Sequence, residues 1–191
     1  MTHTRELPGR SQLRAAVAVA LLAIGCGIEP SAGTTARAAG ETPGAADLLP
    51  NGREPLPGVL TGGQPSRAQL DALAAAGYRT VVNLRTAGEE MPVSAADVSA
   101  LGMRYVHIPV AGPGDLTAAK AQELGALLAD PAARPMAIHC ASGNRVGALL
   151  ALEAARVEGK SAEEALELGR AAGLGGMEPA VREALGLPAG S

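Results

Sequence analysis

Three short apolar, β-branched runs at 79–84, 103–108 and 136–139 alternate along the chain with stretches patterned as capped helices. Strands separated by helices cannot pair as hairpins; they pair in parallel across helical crossovers and bury both sheet faces. The pattern therefore predicts an α/β fold with a parallel-type central sheet of about four strands and helices on both faces. The helix signals are local. Ser66-x-x-Gln69 is a capping box ahead of Leu70 and Leu73, with Gly77 as the stop. Ser94 opens a short helix that Gly102 ends, and a further helix covers 117–129. A helix over 146–157 carries Val146, Leu149, Leu150 and Ala154 on one face. Ser161 with Glu164 caps the next, and a last helix runs over 177–185. Pro109 closes the second strand.

Composition says what fills such a core. The 191 residues include no Phe, no Trp and only Tyr78 and Tyr105, so Leu, Val, Ile, Met and Ala must pack it. With 47% hydrophobic and 18% charged residues the chain is globular and fits one folded domain. Without aromatic platforms, base-stacking recognition of nucleic acid is excluded, and a net charge of −3 offers no polyanion-binding surface.

Residues 1–26 read as a secretory signal: Arg5, Arg10 and Arg14 precede an apolar run over 15–24 that is too short to span a bilayer. The run ends Leu22-Ala23-Ile24-Gly25-Cys26, which resembles the bacterial lipobox with Ala23 where Leu is usual; that resemblance implies lipidation of Cys26. Cleavage near Ala36-Arg37-Ala38, or an uncleaved anchor, are the alternatives. The expectation is an exported protein whose membrane contact is an N-terminal lipid anchor facing the periplasm or exterior. Residues 27–54, rich in Gly, Pro, Ala, Ser and Thr, read as a flexible linker, and 55–191 as the catalytic domain. Cys140 is then the one thiol of the mature domain, and a lone Cys is by default a small buried hydrophobe.

Its neighbours overturn that default. His139-Cys140-Ala141-Ser142-Gly143-Asn144-Arg145 lies between a core strand and a long helix. Such a loop turns its backbone N–H groups inward, and the helix N-terminus adds positive potential, so the amides of Ala141, Ser142, Gly143 and Asn144 form an anion cradle. A Cys at its mouth is expected as a thiolate, favoured by the helix end and by Arg145. Gly143 lets the chain turn, and the planar fork of Arg145 grips two anionic oxygens.

Together with Leu60-Thr61-Gly62-Gly63-Gln64-Pro65, Val81-Val82-Asn83-Leu84-Arg85 and His107-Ile108-Pro109-Val110, this loop resembles the bacterial dual-specificity phosphatase-like family, which includes the domain found beside β-lactamase-like hydrolases. The resemblance covers 58–151. It implies a cysteine-phosphatase fold acting without cofactor on a phosphorylated protein or small phosphoester. Cys140 would attack phosphorus, Arg145 would grip the transferring group, and a phosphocysteine intermediate would be hydrolysed.

The loop departs from the tyrosine-phosphatase pattern in one respect. Four residues, not five, separate Cys140 from Arg145, and Val146 follows where a hydroxyl residue is usual. The shorter spacing is shared with rhodanese-like sulfurtransferases, which carry a persulfide. Three readings follow: a phosphatase, a sulfurtransferase with a persulfide on Cys140, and a non-catalytic anion-binding module. A phosphatase needs an acid for the leaving alkoxide. Asp115, in the Gly112-Pro113-Gly114-Asp115 loop, is the candidate, with helix capping as its bland alternative and Asp97, Glu89 and Glu90 behind it; Glu89 and Glu90 read as a solvated turn. Arg85 ends a strand at the edge where ligands of parallel sheets gather, so it is either an anion contact or a surface ion pair. Asn83 and His139 read as structural, His107 as a core or rim histidine, and Asn144 as an orienting group or a support for loop amides. No spacing indicates a metal site.

Overall fold

The computed structural model describes residues 44–190. The predicted leader, Cys26 and the linker as far as residue 43 lie outside them. The chain enters through α1 (Ala45–Leu48) and forms β1 (Arg53–Leu56) and β2 (Val59–Gly62), then α2 (Arg67–Ala75), β3 (Thr80–Asn83), α3 (Ala95–Ala100) and β4 (Arg104–His107). A 3-10 turn at Pro113–Asp115 leads to α4 (Ala118–Ala129), and a second at Pro131–Ala133 leads to β5 (Met136–His139). Helices α5 (Asn144–Arg156), α6 (Ala162–Ala171) and α7 (Glu178–Leu185) finish the fold.

The helices start where their sequences supply a side-chain acceptor for orphan amides. Ser66 accepts from Gln69 N, Ser94 from Asp97 N and Ser161 from Glu164 N, each in a reciprocal capping box. Thr117 caps α4 by accepting from Lys120 N. The sheet has five strands in the order β1-β2-β5-β3-β4. The three anticipated strands form its parallel part, with β3 pairing β5 and β4, and β2 joins β5 in parallel. Strand β1 runs antiparallel to β2, so the sheet is mixed at that edge.

The expectation that the chain is a free linker up to residue 54 is corrected here. Leu48 and Leu49 are buried, and Leu49 lies against Gly62. Their apolar area leaves water under the sheet end and holds 44–54 in the domain.

One sheet face packs against α4 and α5, where Leu124, Leu128, Val146, Leu149 and Leu150 meet Val82 and Ile138. The other packs against α2 and α3, where Leu70, Leu73 and Val98 meet Leu60, Val81 and Ala137. Helix α6 crosses α5 at two glycines: a Cβ on Gly147 would sit 2.2 Å from Leu174 N and 2.5 Å from Gly169 O. That contact brings the α6–α7 connection up behind the loop that starts α5.

Candidate active site

Strand β5 ends at His139, in the middle of the sheet, and the chain turns through residues 140–143 into α5. Gly143 makes that turn at φ 102°, a conformation side chains rarely adopt. The turn returns its own N–H onto Cys140, whose Sγ accepts it at 3.1 Å. Cys140 is fully buried and packs within the apolar core as well as under the loop. The sulfur thus forms the floor of the cradle. Among the described residues, the amides of Ala141, Ser142, Asn144 and Arg145 donate to no acceptor.

The rest of the loop is braced. Gly63 pairs with Ser142 as an isolated bridge, Gln64 N donates to Ala141 O, and Asn51 Nδ2 donates to Ser142 O at 3.3 Å. Asn144 turns its side chain away from the cradle: its Oδ1 accepts from Gly175 N at 2.8 Å and Met177 N at 3.2 Å. Its side-chain role is support, through the α6–α7 connection rather than the loop itself.

Arg145, on the first turn of α5, is held from two sides. Its Nη1 and Nη2 donate to the two oxygens of Glu89, each at 2.7 Å, and Nη1 also donates to Val110 O at 2.9 Å. The pKa of the guanidinium is pushed up, first by the Glu89 hydrogen bond, with burial opposing the rise. The carboxyl of Glu89 is driven far below the usual range, chiefly by Arg145, with Thr86 N–H and Arg85 also donating to it. Glu89 is therefore a fixed anion that orients Arg145, not a side chain of a solvated turn.

Arg85 shares that carboxylate. Its Nε donates to Glu89 Oε2 at 3.1 Å and its Nη1 to Gln64 Oε1 at 3.2 Å. The ion pair is real but only 14% of the Arg85 side chain is exposed, so it belongs to the site wall rather than the open surface. Asn83, buried, fixes the backbone here by accepting Arg85 N at 2.8 Å while donating to Tyr105 Oη and Met91 Sδ. His107, on the rim, donates from Nε2 to Arg85 O at 2.7 Å.

His139 is buried, and among the described residues its Nδ1 makes no hydrogen bond of ordinary geometry. Burial lowers its pKa to about 4, the backbone of Cys140 opposes that and the nearby Arg85 and Arg145 charges add to it, so the ring is neutral at pH 7. Asp115 lies on the loop that leaves Val110. Its Oδ2 accepts Ala111 N at 2.8 Å and lies 3.4 Å from Lys120 Nζ, and both contacts lower its pKa, the amide foremost. It does not cap α4, a task that Thr117 performs. Asp97 is taken up in the capping box of α3, accepting from Ser94 and Arg67. Among the described residues, no cluster of His, Cys, Asp or Glu is arranged to hold a metal.

Comparison with known proteins gives this geometry a family. The model of the DSP-PTPase phosphatase fused to NAD+ kinase matches residues 52–179. Among solved structures, Tk-PTP in its active form is 21% identical, with 71% of this chain and 96% of that one covered at a TM-score of 0.57. TpbA of P. aeruginosa is 21% identical, with 71% and 82% covered at 0.54. PTPMT1 is 19% identical, with 70% and 90% covered at 0.52. These likenesses establish a shared fold. No curated protein matches the sequence.

Proposed function

The chain belongs to the DSP-PTPase family, whose model spans its sheet, its loop and most of its helices, and from that premise we propose that it hydrolyses phosphate monoesters through a phosphocysteine on Cys140. The observation that carries the reading is one constellation: a sulfur on the cradle floor, unclaimed amides around it, and Arg145 fixed beside it by Glu89.

The roles follow from charge development. The open amides and Arg145 bind the phosphoryl oxygens, and they gain most as negative charge gathers on those oxygens in the transition state. Cys140 Sγ forms a bond to phosphorus as the P–O ester bond breaks, and the leaving alkoxide takes a proton. Water then attacks the phosphocysteine, the P–S bond breaks with its electrons returning to sulfur, and inorganic phosphate departs. Glu89 keeps Arg145 from rotating away during both steps.

Asp115 is the proposed proton donor. Support comes from its place on the loop that begins at Val110, whose carbonyl Arg145 touches. To donate, its carboxyl must leave Ala111 N and Lys120, which stabilise the ionised form; loop movement on substrate binding is the step that frees it. Family membership favours this chemistry over sulfur transfer despite the four-residue spacing. The deciding experiment assays the protein with an aryl phosphate and with thiosulfate, beside Cys140→Ser. Phosphate release lost in the variant, with no thiocyanate formed in cyanide, is the expected result; equal phosphate release by both proteins overturns it.

The leader reading extends the proposal to an exported enzyme tethered through Cys26. Membrane fractionation of Cys26→Ser tests that, and unchanged membrane retention counts against it.

A further inference from the structure

A cavity of about 480 Å³ lies beside the loop, lined by Gln64, Arg85, Glu90, Met91 and Pro92. Two connections join it to the chemistry. Gln64 N donates to Ala141 O on the loop, and Arg85 shares the Glu89 carboxylate with Arg145. Two of the cavity's lining residues, Gln64 and Arg85, are thus hydrogen-bonded directly to the loop and to the carboxylate that fixes Arg145. Its volume falls within the ordinary range for small-molecule sites, roughly 300–1,000 Å³.

The lining mixes hydrogen-bond donors, acceptors and apolar surface. Arg85 lines the cavity and commits Nε to Glu89 and Nη1 to Gln64 Oε1, while Nη2 donates to no acceptor among the described residues. The Glu90 carboxylate is exposed at the rim and accepts no hydrogen bond among the described residues. Met91, 37% exposed, and Pro92 form an apolar side, and Asn83 holds the Met91 sulfur in place at 3.2 Å.

Each class of leaving group meets this lining differently. A second phosphate gains little, because the Arg85 charge is already shared with Glu89 and Glu90 adds a further negative charge. A bare aryl ring would strip water from Arg85 and Glu90 without replacing those hydrogen bonds, and the lining has no aromatic face to stack on it. A polyhydroxylated group replaces the water with its own hydroxyls and lays its C–H face on Met91 and Pro92. Resting on the phosphatase reading above, we propose that this cavity receives the leaving group and that the substrate is a small sugar or polyol phosphate.

The test uses the full chain as Cys140→Ser, so that binding is read without turnover. Calorimetry compares inorganic phosphate, phenyl phosphate and glucose phosphate, and repeats the series in Cys140→Ser carrying Glu90→Ala or Arg85→Met. Glucose phosphate should bind about tenfold tighter than phenyl phosphate, as two recovered hydrogen bonds imply. Each added substitution should cut that preference about fivefold, and Glu90→Ala should leave inorganic phosphate affinity as it was. Phenyl phosphate binding as well as glucose phosphate, a preference that survives both substitutions, or no binding of any of the three ligands would overturn the proposal. The phosphatase reading is judged apart, by whether the parent releases phosphate at all.

Discussion

Glu153 offers the sharpest energetic test of the packing, because a carboxyl has been placed inside the α4–α5 contact with one oxygen unpaired among the described residues. The residue is 1% exposed, its Oε2 has no partner, and its other oxygen faces Gly125 of α4. Burial pushes its pKa up from 4.5 to about 7; Glu158 adds to the rise and Lys160 opposes it. In the unfolded chain the group ionises near its ordinary value, so as pH rises the unfolded state loses its proton first and stability falls. At about 1.4 kcal/mol per pH unit between the two values, the loss amounts to about 3 kcal/mol from pH 4.5 to just above 7. His139 acts in the opposite sense. Its folded value of about 4 lies below the ordinary 6.5, so stability rises with pH between those values and masks the Glu153 loss in the parent. The informative quantity is therefore a difference. Urea unfolding of the parent and Glu153→Gln, followed by circular dichroism from pH 4.5 to 8, should show the variant gaining about 3 kcal/mol relative to the parent across that range. A difference that stays flat with pH would falsify the reasoning.

Three more outcomes follow from the geometry. Glu89→Gln leaves Arg145 without its bidentate anion and should lower kcat about ten- to a hundredfold on an aryl phosphate, with Glu89→Asp recovering part of the loss; wild-type kcat in Glu89→Gln would remove its positioning role. Lys120→Met withdraws a cation that holds Asp115 ionised in the free protein, so the Asp115 pKa rises and the alkaline limb of the kcat/KM pH profile should move to higher pH; an unmoved limb argues against Asp115 as the acid. Gly147→Ala drives a methyl into Leu174 N and Gly169 O, both backbone, and should destabilise the fold by about 1–3 kcal/mol; a thermal midpoint equal to the parent's would contradict the close crossing of α5 and α6.

What the sequence disclosed was mostly local. Ser66, Ser94, Thr117 and Ser161 announce their helices because capping is decided within four residues, and the runs around Val81 and Ile138 announce strands because both faces are buried. Strands β1 and β2 were not singled out: Pro55 and Pro57-Gly58 break any strand pattern there, and the segment takes its place only through β1 pairing with β2 and β2 with β5. The same holds for the site. Cys140, Gly143 and Arg145 are adjacent in sequence and form one loop, so their association was legible. Glu89 was not, since 56 residues separate it from Arg145 and its own neighbours describe an ordinary turn. Asn144 was half legible: its support role was anticipated, but its partners come from the α6–α7 connection.

The most direct measurement of the central claim is acid-quenched turnover with an aryl phosphate, followed by peptide mass spectrometry. The account predicts one phosphoryl group on the sulfur of Cys140 during turnover and none in Cys140→Ser. Sustained phosphate release with that peptide unmodified, or by the serine variant, would contradict it.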